Sequence, residues 1–207
     1  MKHRARLSFV TALLLALSAC AEAAYEHMNA PSRDAWQQPK AVIQGLNLQP
    51  DAHVVDLGAG GGYFTFPLAE AVGPEGRVYA VDVDEASLKY IDRQAKQRGV
   101  SNLELILASQ HDPRLPPTGV DLIFTFNTYH HLTDRVAYFK SLARYLRPKG
   151  RIAIIDYKEQ GWFAALFGHA TAKDTVQREM EAAGYRLTND VDFLTKQHFQ
   201  IFSLTRP

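Results

Sequence analysis

Val54-Val55-Asp56-Leu57-Gly58-Ala59-Gly60-Gly61-Gly62 sets a run of glycines directly after an apolar stretch. Glycine lets the chain turn sharply and lets a ligand approach the backbone closely. Asp82 stands 24 residues beyond Gly58, at the end of the next apolar run. A carboxylate there can accept hydrogen bonds from both ribose hydroxyls, so the two features together point to an adenosine-bearing ligand. A third group, Asn127-Thr128-Tyr129-His130-His131, follows another apolar run. Imidazoles titrate near neutrality and suit proton transfer, which makes Tyr129, His130 and His131 candidate bases. Asp156 and His169 are further polar residues that could reach a substrate.

These residues need elements to hold them. Residues 40–46 read as a short helix, 53–57 as a strand and 63–72 as a helix. Arg77 to Asp82 is the second strand. Asp84 caps a helix through Arg98 that stops at Gly99. Strands follow at 103–107, 120–126 and 151–156, with a helix capped by Thr133 running to about Leu146 and ended by Pro148 and Gly150. Repeating strand and helix with apolar strands imply a parallel sheet covered on both faces. A helix over 172–183 ends at Gly184, and strands at 185–193 and 199–204 follow. The gap between them is too short for a crossover helix, so the last two strands form an antiparallel hairpin. The expected fold is α/β, a Rossmann-like seven-stranded sheet, mostly parallel with an antiparallel last strand and helices on both faces.

Two ligand classes share this layout. A dinucleotide loop, G-x-G-x-x-G, needs glycine at position 63, where Tyr63 stands. Here the glycines run Gly58, Gly60, Gly62, with Asp56 two residues ahead. In this pattern, D-x-G-x-G-x-G, the chain resembles the class I S-adenosylmethionine-dependent methyltransferases over residues 40–205. Asp82, the strand Asp121-Leu122-Ile123-Phe124, the Leu146-Arg147-Pro148-Lys149-Gly150 turn and the terminal hairpin add to the likeness. The resemblance implies sheet order 3-2-1-4-5-7-6. It also implies that Asp56 and the backbone of Gly58, Ala59, Gly60 and Gly62 hold the methionine part of S-adenosylmethionine. Asp82 then takes the ribose, Val83 lies against adenine and Asn127 sits beside the sulfonium. The polar contact to adenine falls to Ser109, Gln110 or Asp112.

A methyl on sulfonium is already electrophilic, so the protein mostly aligns a nucleophile and removes a proton where one must leave. The expected acceptor is a small molecule or lipid-like compound. Asn127-Thr128-Tyr129-His130 departs from the Asn-Pro-Pro-Tyr pattern of methylases acting on amino groups of bases and glutamine. The runner-up functions are an NAD(P)-binding oxidoreductase and a non-catalytic adenosine-ligand-binding protein of the cell envelope.

Composition narrows the partners. The 207 residues carry 23 basic and 22 acidic side chains, net +1, which gives no broad basic face for nucleic acid. One cysteine, Cys20, rules out an intrachain disulfide and a multi-cysteine metal cluster. No metal is expected, since adjacent His130 and His131 should point apart. Lys2, Arg4 and Arg6 precede an uncharged apolar stretch from Leu7 to Ala19, the pattern of a secretory signal over residues 1–19. Leu17-Ser18-Ala19-Cys20 resembles a bacterial lipobox, which would lipidate Cys20 and anchor an exported protein at the envelope or periplasm. The alternative is cleavage after Ala23. Residues 20–39 then form a polar lead-in and residues 40–207 the domain. The apolar tract Gly161–Gly168 reads as core, lid or membrane contact.

Overall fold

The computed structural model describes residues 22–158 and 170–205. The signal segment, Cys20, the tract Gly161–Gly168 and His169 lie outside the described residues. Seven strands form one sheet in the order β3-β2-β1-β4-β5-β7-β6: β1 His53–Leu57, β2 Arg77–Asp82, β3 Leu103–Leu107, β4 Val120–Phe126, β5 Leu146–Tyr157, β6 Tyr185–Val191 and β7 Gln197–Leu204. The first five pair in parallel, and β7 runs antiparallel to both β5 and β6. The order and the terminal hairpin match expectation.

Strand alternation builds two cores. Val55, Ile123, Ile152 and Ile154 point to one face, under α4 (Arg135–Leu142) and α5 (Lys173–Ala182). Val54, Leu122, Phe124 and Ile155 point to the other, under α1 (Pro39–Leu46) and α2 (Thr65–Val72). The helix α3 (Glu85–Arg98) covers Ala80 through Ile91 and Ala95. Asp84 caps α3 as expected, its side chain accepting from the Ala86 amide.

Two expectations are corrected. The fourth helix stops at Leu142 and a 3-10 turn, Ala143–Tyr145, leads straight into β5. Pro148 and Gly150 therefore sit inside a strand, where the β4–β5 register is irregular between Val120 and Leu122; such an irregularity tolerates proline's missing N–H. Thr133 does not cap α4, because Asp134 takes the N-cap position in left-handed backbone. The lead-in packs against the domain. Residues 22–28 are helical, Tyr25 is buried against Tyr90 and donates to Asp84, and Asn29 donates to the Gly61 carbonyl at 2.5 Å.

Candidate active site

The carboxyl ends of β1, β2 and β4 open into a cavity of about 1280 Å³. That exceeds the ~300–1,000 Å³ of ordinary small-molecule pockets and leaves room for two ligands side by side.

At one end lies the glycine loop. Gly58, Gly60 and Gly62 all have positive φ, a conformation side chains rarely adopt. A Cβ on Gly58 would stand 2.8 Å from the Thr128 Cβ, so glycine lets the β4 loop close over β1. A Cβ on Gly60 would meet only Met28, at 3.8 Å, and would project into the open cavity. Gly58, Ala59, Gly60 and Gly61 line the cavity; Gly62 does not, and its role is conformational, with Phe66 and Ile91 packed where a Cβ would go.

Asp82 ends β2 at the same place. Its two carboxylate oxygens accept from the Gly60 and Asp84 amides at 2.8 and 2.9 Å, which fixes the carboxylate at the cavity wall. Val83 beside it is 59% exposed, a large apolar side chain open to the cavity where a flat ring could cover it. Ser109 and Gln110 line the wall as well. Ser109 is tied into a turn with Asp112, and Asp112 faces Tyr145 and Arg144 instead of the cavity. The carboxylate, the exposed valine and the glycine cradle fit the ribose, base and amino-acid parts of S-adenosylmethionine.

Asp56 is a correction. Strand alternation turns it toward α2, where it is 2% exposed, accepts from Thr65 at 2.6 Å and does not line the cavity. Burial pushes its carboxyl up to about 7, against the opposing Thr65 hydrogen bond. It lies beneath the loop, not in the cavity wall.

The other end of the cavity holds the candidate bases. Asn127 has φ 51°, and its amide donates to the Ile155 carbonyl. Its side-chain oxygen accepts from Gln197 at 2.6 Å, and the residue lines the cavity. Tyr129 is the second correction. It is fully buried, its ring stacks on Phe139, and its hydroxyl donates at 2.6 Å to Glu179, which Arg135 also grips at 2.7 and 2.8 Å. Burial first, then the Glu179 hydrogen bond, drives the phenol far above its ordinary range. Tyr129 is a strut between the β4 loop, α4 and α5.

His130 and His131 both line the cavity. A 3-10 turn, Tyr129–His131, sets their rings 4.1 Å apart between centroids, so they do not point apart as an extended chain would send them. His130 Nδ1 lies 2.7 Å from Asp156 Oδ1 at the end of β5, with Asp156 fully buried. Asp156 thus lies behind His130 and not in the cavity wall. The β4–β5 pairing places Phe126 beside Ile155, which brings the two strand ends together. No cluster of three metal-ligating side chains occurs among the described residues.

Sequence reasoning missed the cavity wall supplied by Met28 and Arg33 of the lead-in, by Tyr157 and Lys158 at the end of β5, and by Lys196 before β7. Only the Gly61 neighbourhood carried a signal: a Cβ there would stand 2.9 Å from the Tyr25 carbonyl, a fit that glycine permits.

Residues 48–198 match a family described as "Methyltransferase domain". The chain is 31% identical over 124 residues to a demethylmenaquinone methyltransferase from Geobacillus stearothermophilus, covering 60% of this chain and 53% of that protein. It is 32% identical over 115 residues to nocamycin O-methyltransferase from Saccharothrix syringae, covering 56% of this chain and 41% of that one. The chain thus spans about half the length of the curated relatives it matches. Among solved structures, a SAM dependent methyltransferase from Aquifex aeolicus superposes with a TM-score of 0.81 at 26% identity, covering 89% of this chain and 98% of that one.

Proposed function

The chain belongs to the methyltransferase domain family, and from that membership we propose that it is an enzyme transferring a methyl group from S-adenosylmethionine to an ionisable hydroxyl of a small acceptor. The observation that carries this reading is a single cavity with the glycine loop and Asp82 at one end and the His130–Asp156 pair at the other. When bound, S-adenosylmethionine supplies a methyl group on an electrophilic sulfonium.

The protein's part is to bind, orient and deprotonate. Asp82 accepts from the ribose hydroxyls while Gly60 and Asp84 amides hold it still. Gly58 and Gly60 admit the amino-acid part against bare backbone, and Val83 covers the base. Asn127, held by Gln197, marks the border between the two ends of the cavity. Asp156 Oδ1, 2.7 Å from His130 Nδ1, holds the imidazole in place at the cavity wall. His130 receives the acceptor's hydroxyl proton, and the oxygen gains the nucleophilicity it needs; such proton removal is worth ~10²–10⁴-fold. His131, ring to ring with His130, narrows the approach.

The relatives' printed names support acceptors that are small molecules, a quinone precursor and a natural product among them. Export with lipid on Cys20 is the matching proposal for location, supported by the basic and apolar first 19 residues. No described helix is long and apolar enough to cross a membrane.

Titration calorimetry tests the cofactor. S-adenosylmethionine binds the parent protein, and Asp82→Ala weakens it by tenfold or more, since each charge-assisted hydrogen bond is worth ~1.5–3 kcal/mol. Unchanged affinity in the variant sinks the assignment.

A further inference from the structure

Resting on the reading of this cavity as a methyl-transfer site, we propose that the acceptor is a planar aromatic hydroxyl compound that also carries a carboxylate or similar anion. The walls near His130 are rings. Tyr63 and Phe126 lie 6.2 Å apart between centroids, and Tyr157 lies 6.3 Å from His130 and 6.2 Å from Trp36, against which it stacks. Flat apolar walls select flat ligands, because offset and edge contacts between rings add to the area they bury.

Three cations stand in the same wall: Arg33, Lys158 and Lys196. The one carboxylate lining the cavity among the described residues is Asp82, and it is engaged by amides at the other end. Nearby carboxylates are already used. Asp34 accepts from the Tyr63 hydroxyl at 2.5 Å, and Asp192 meets Lys158 at 3.3 Å, while Lys158 also donates to the Leu194 carbonyl at 2.9 Å. Arg33 lies 5.1 Å from the Tyr63 centroid and donates to the Met28 carbonyl.

Lys196 is the distinctive one. Its ammonium sits 4.8 Å from the Trp36 ring centroid and has no carboxylate partner among the described residues. Its carbonyl accepts from the Lys158 amide at 2.9 Å, which ties it to the residue after Tyr157 and so to the His130 end of the cavity. A ring face holds a cation but offers no acceptor oxygen, so an anion bound there gains a charge-assisted hydrogen bond without displacing an ion pair.

The test uses a matched pair, 6-hydroxy-2-naphthoate and 2-naphthol, each titrated calorimetrically into the full chain with and without S-adenosylhomocysteine. The naphthoate binds about tenfold more tightly, ~1.4 kcal/mol. Lys196→Gln removes most of that preference, and Lys196→Arg, which keeps the charge, retains it. Equal affinity for the pair, no binding of either, or a preference undiminished in Lys196→Gln overturns the proposal. Failure of the methyl-transfer reading shows separately, as absent binding of S-adenosylhomocysteine itself, whatever the naphthoate does.

Discussion

Asp156 pairs with His130 while fully buried, and its second carboxylate oxygen has no hydrogen-bond partner among the described residues. A buried polar atom without a partner costs stability, and under the proposed function holding His130 in place is what it returns. Asp156→Asn is expected to lower kcat by ~10²-fold while leaving S-adenosylmethionine affinity within about twofold, a split that steady-state kinetics and calorimetry read directly. Asp56 gives a second outcome. Its carboxyl is raised by burial from 3.8 to about 7, so the folded protein binds a proton there that the unfolded chain releases. The associated stability is complete below about pH 4 and is lost as pH climbs to about 7. Thermal melts of the apo protein should therefore show Asp56→Asn losing this slope between pH 5 and pH 8 and matching or exceeding the parent at pH 8. The sequence grouped Tyr129 with the two histidines of the β4 loop, and of the three the histidines line the cavity. Residue type alone cannot tell a phenol aimed at Glu179 from one facing a ligand, because that depends on a helix some 50 residues away.

At the level of elements, the glycine loop and the β4 loop are one device. Gly58 leaves the space that Thr128 fills, and its φ of 78° excludes a side chain independently of that space. Gly58→Ala should weaken S-adenosylmethionine binding by ~30-fold or more, and a lowered unfolding midpoint in the same variant would report the strained loop. The parallel pairing and the terminal hairpin were legible because both follow from spacing: long gaps admit crossover helices, and the short stretch before β7 does not; the strand order followed only from the family resemblance. The start of β5 was not legible. Pro148 and Gly150 read as a stop for the preceding helix, yet they lie in the strand where the β4 register slips. Local breakers fix where a helix cannot continue, not where its neighbour begins.

For the whole molecule, the surprise is the lead-in. It read from the sequence only as a polar lead-in, and no periodicity marked its contacts with the domain. Its contacts with the domain are distant in sequence: Tyr25 with Asp84 and Tyr90, Asn29 with Gly61, Trp36 with Tyr157. Glu22, at its start, pairs with Arg93 at 3.1 Å. Cleavage after Ala23 would discard that residue. Intact mass of the protein from its own membranes should show Cys20 as a lipidated first residue; a chain beginning at Ala24 would refute it. The packing of the lead-in then governs more than the shape of the cavity. Residues 22–28 are already folded against the domain, so an acylated Cys20 would leave a leash of about two residues, no more than ~7 Å of extended chain. On so short a leash the protein could not tumble beneath the bilayer. The mouth beside Met28 and Arg33 would stay close to the lipid, and a flat amphiphile could pass between the two with little travel through bulk water.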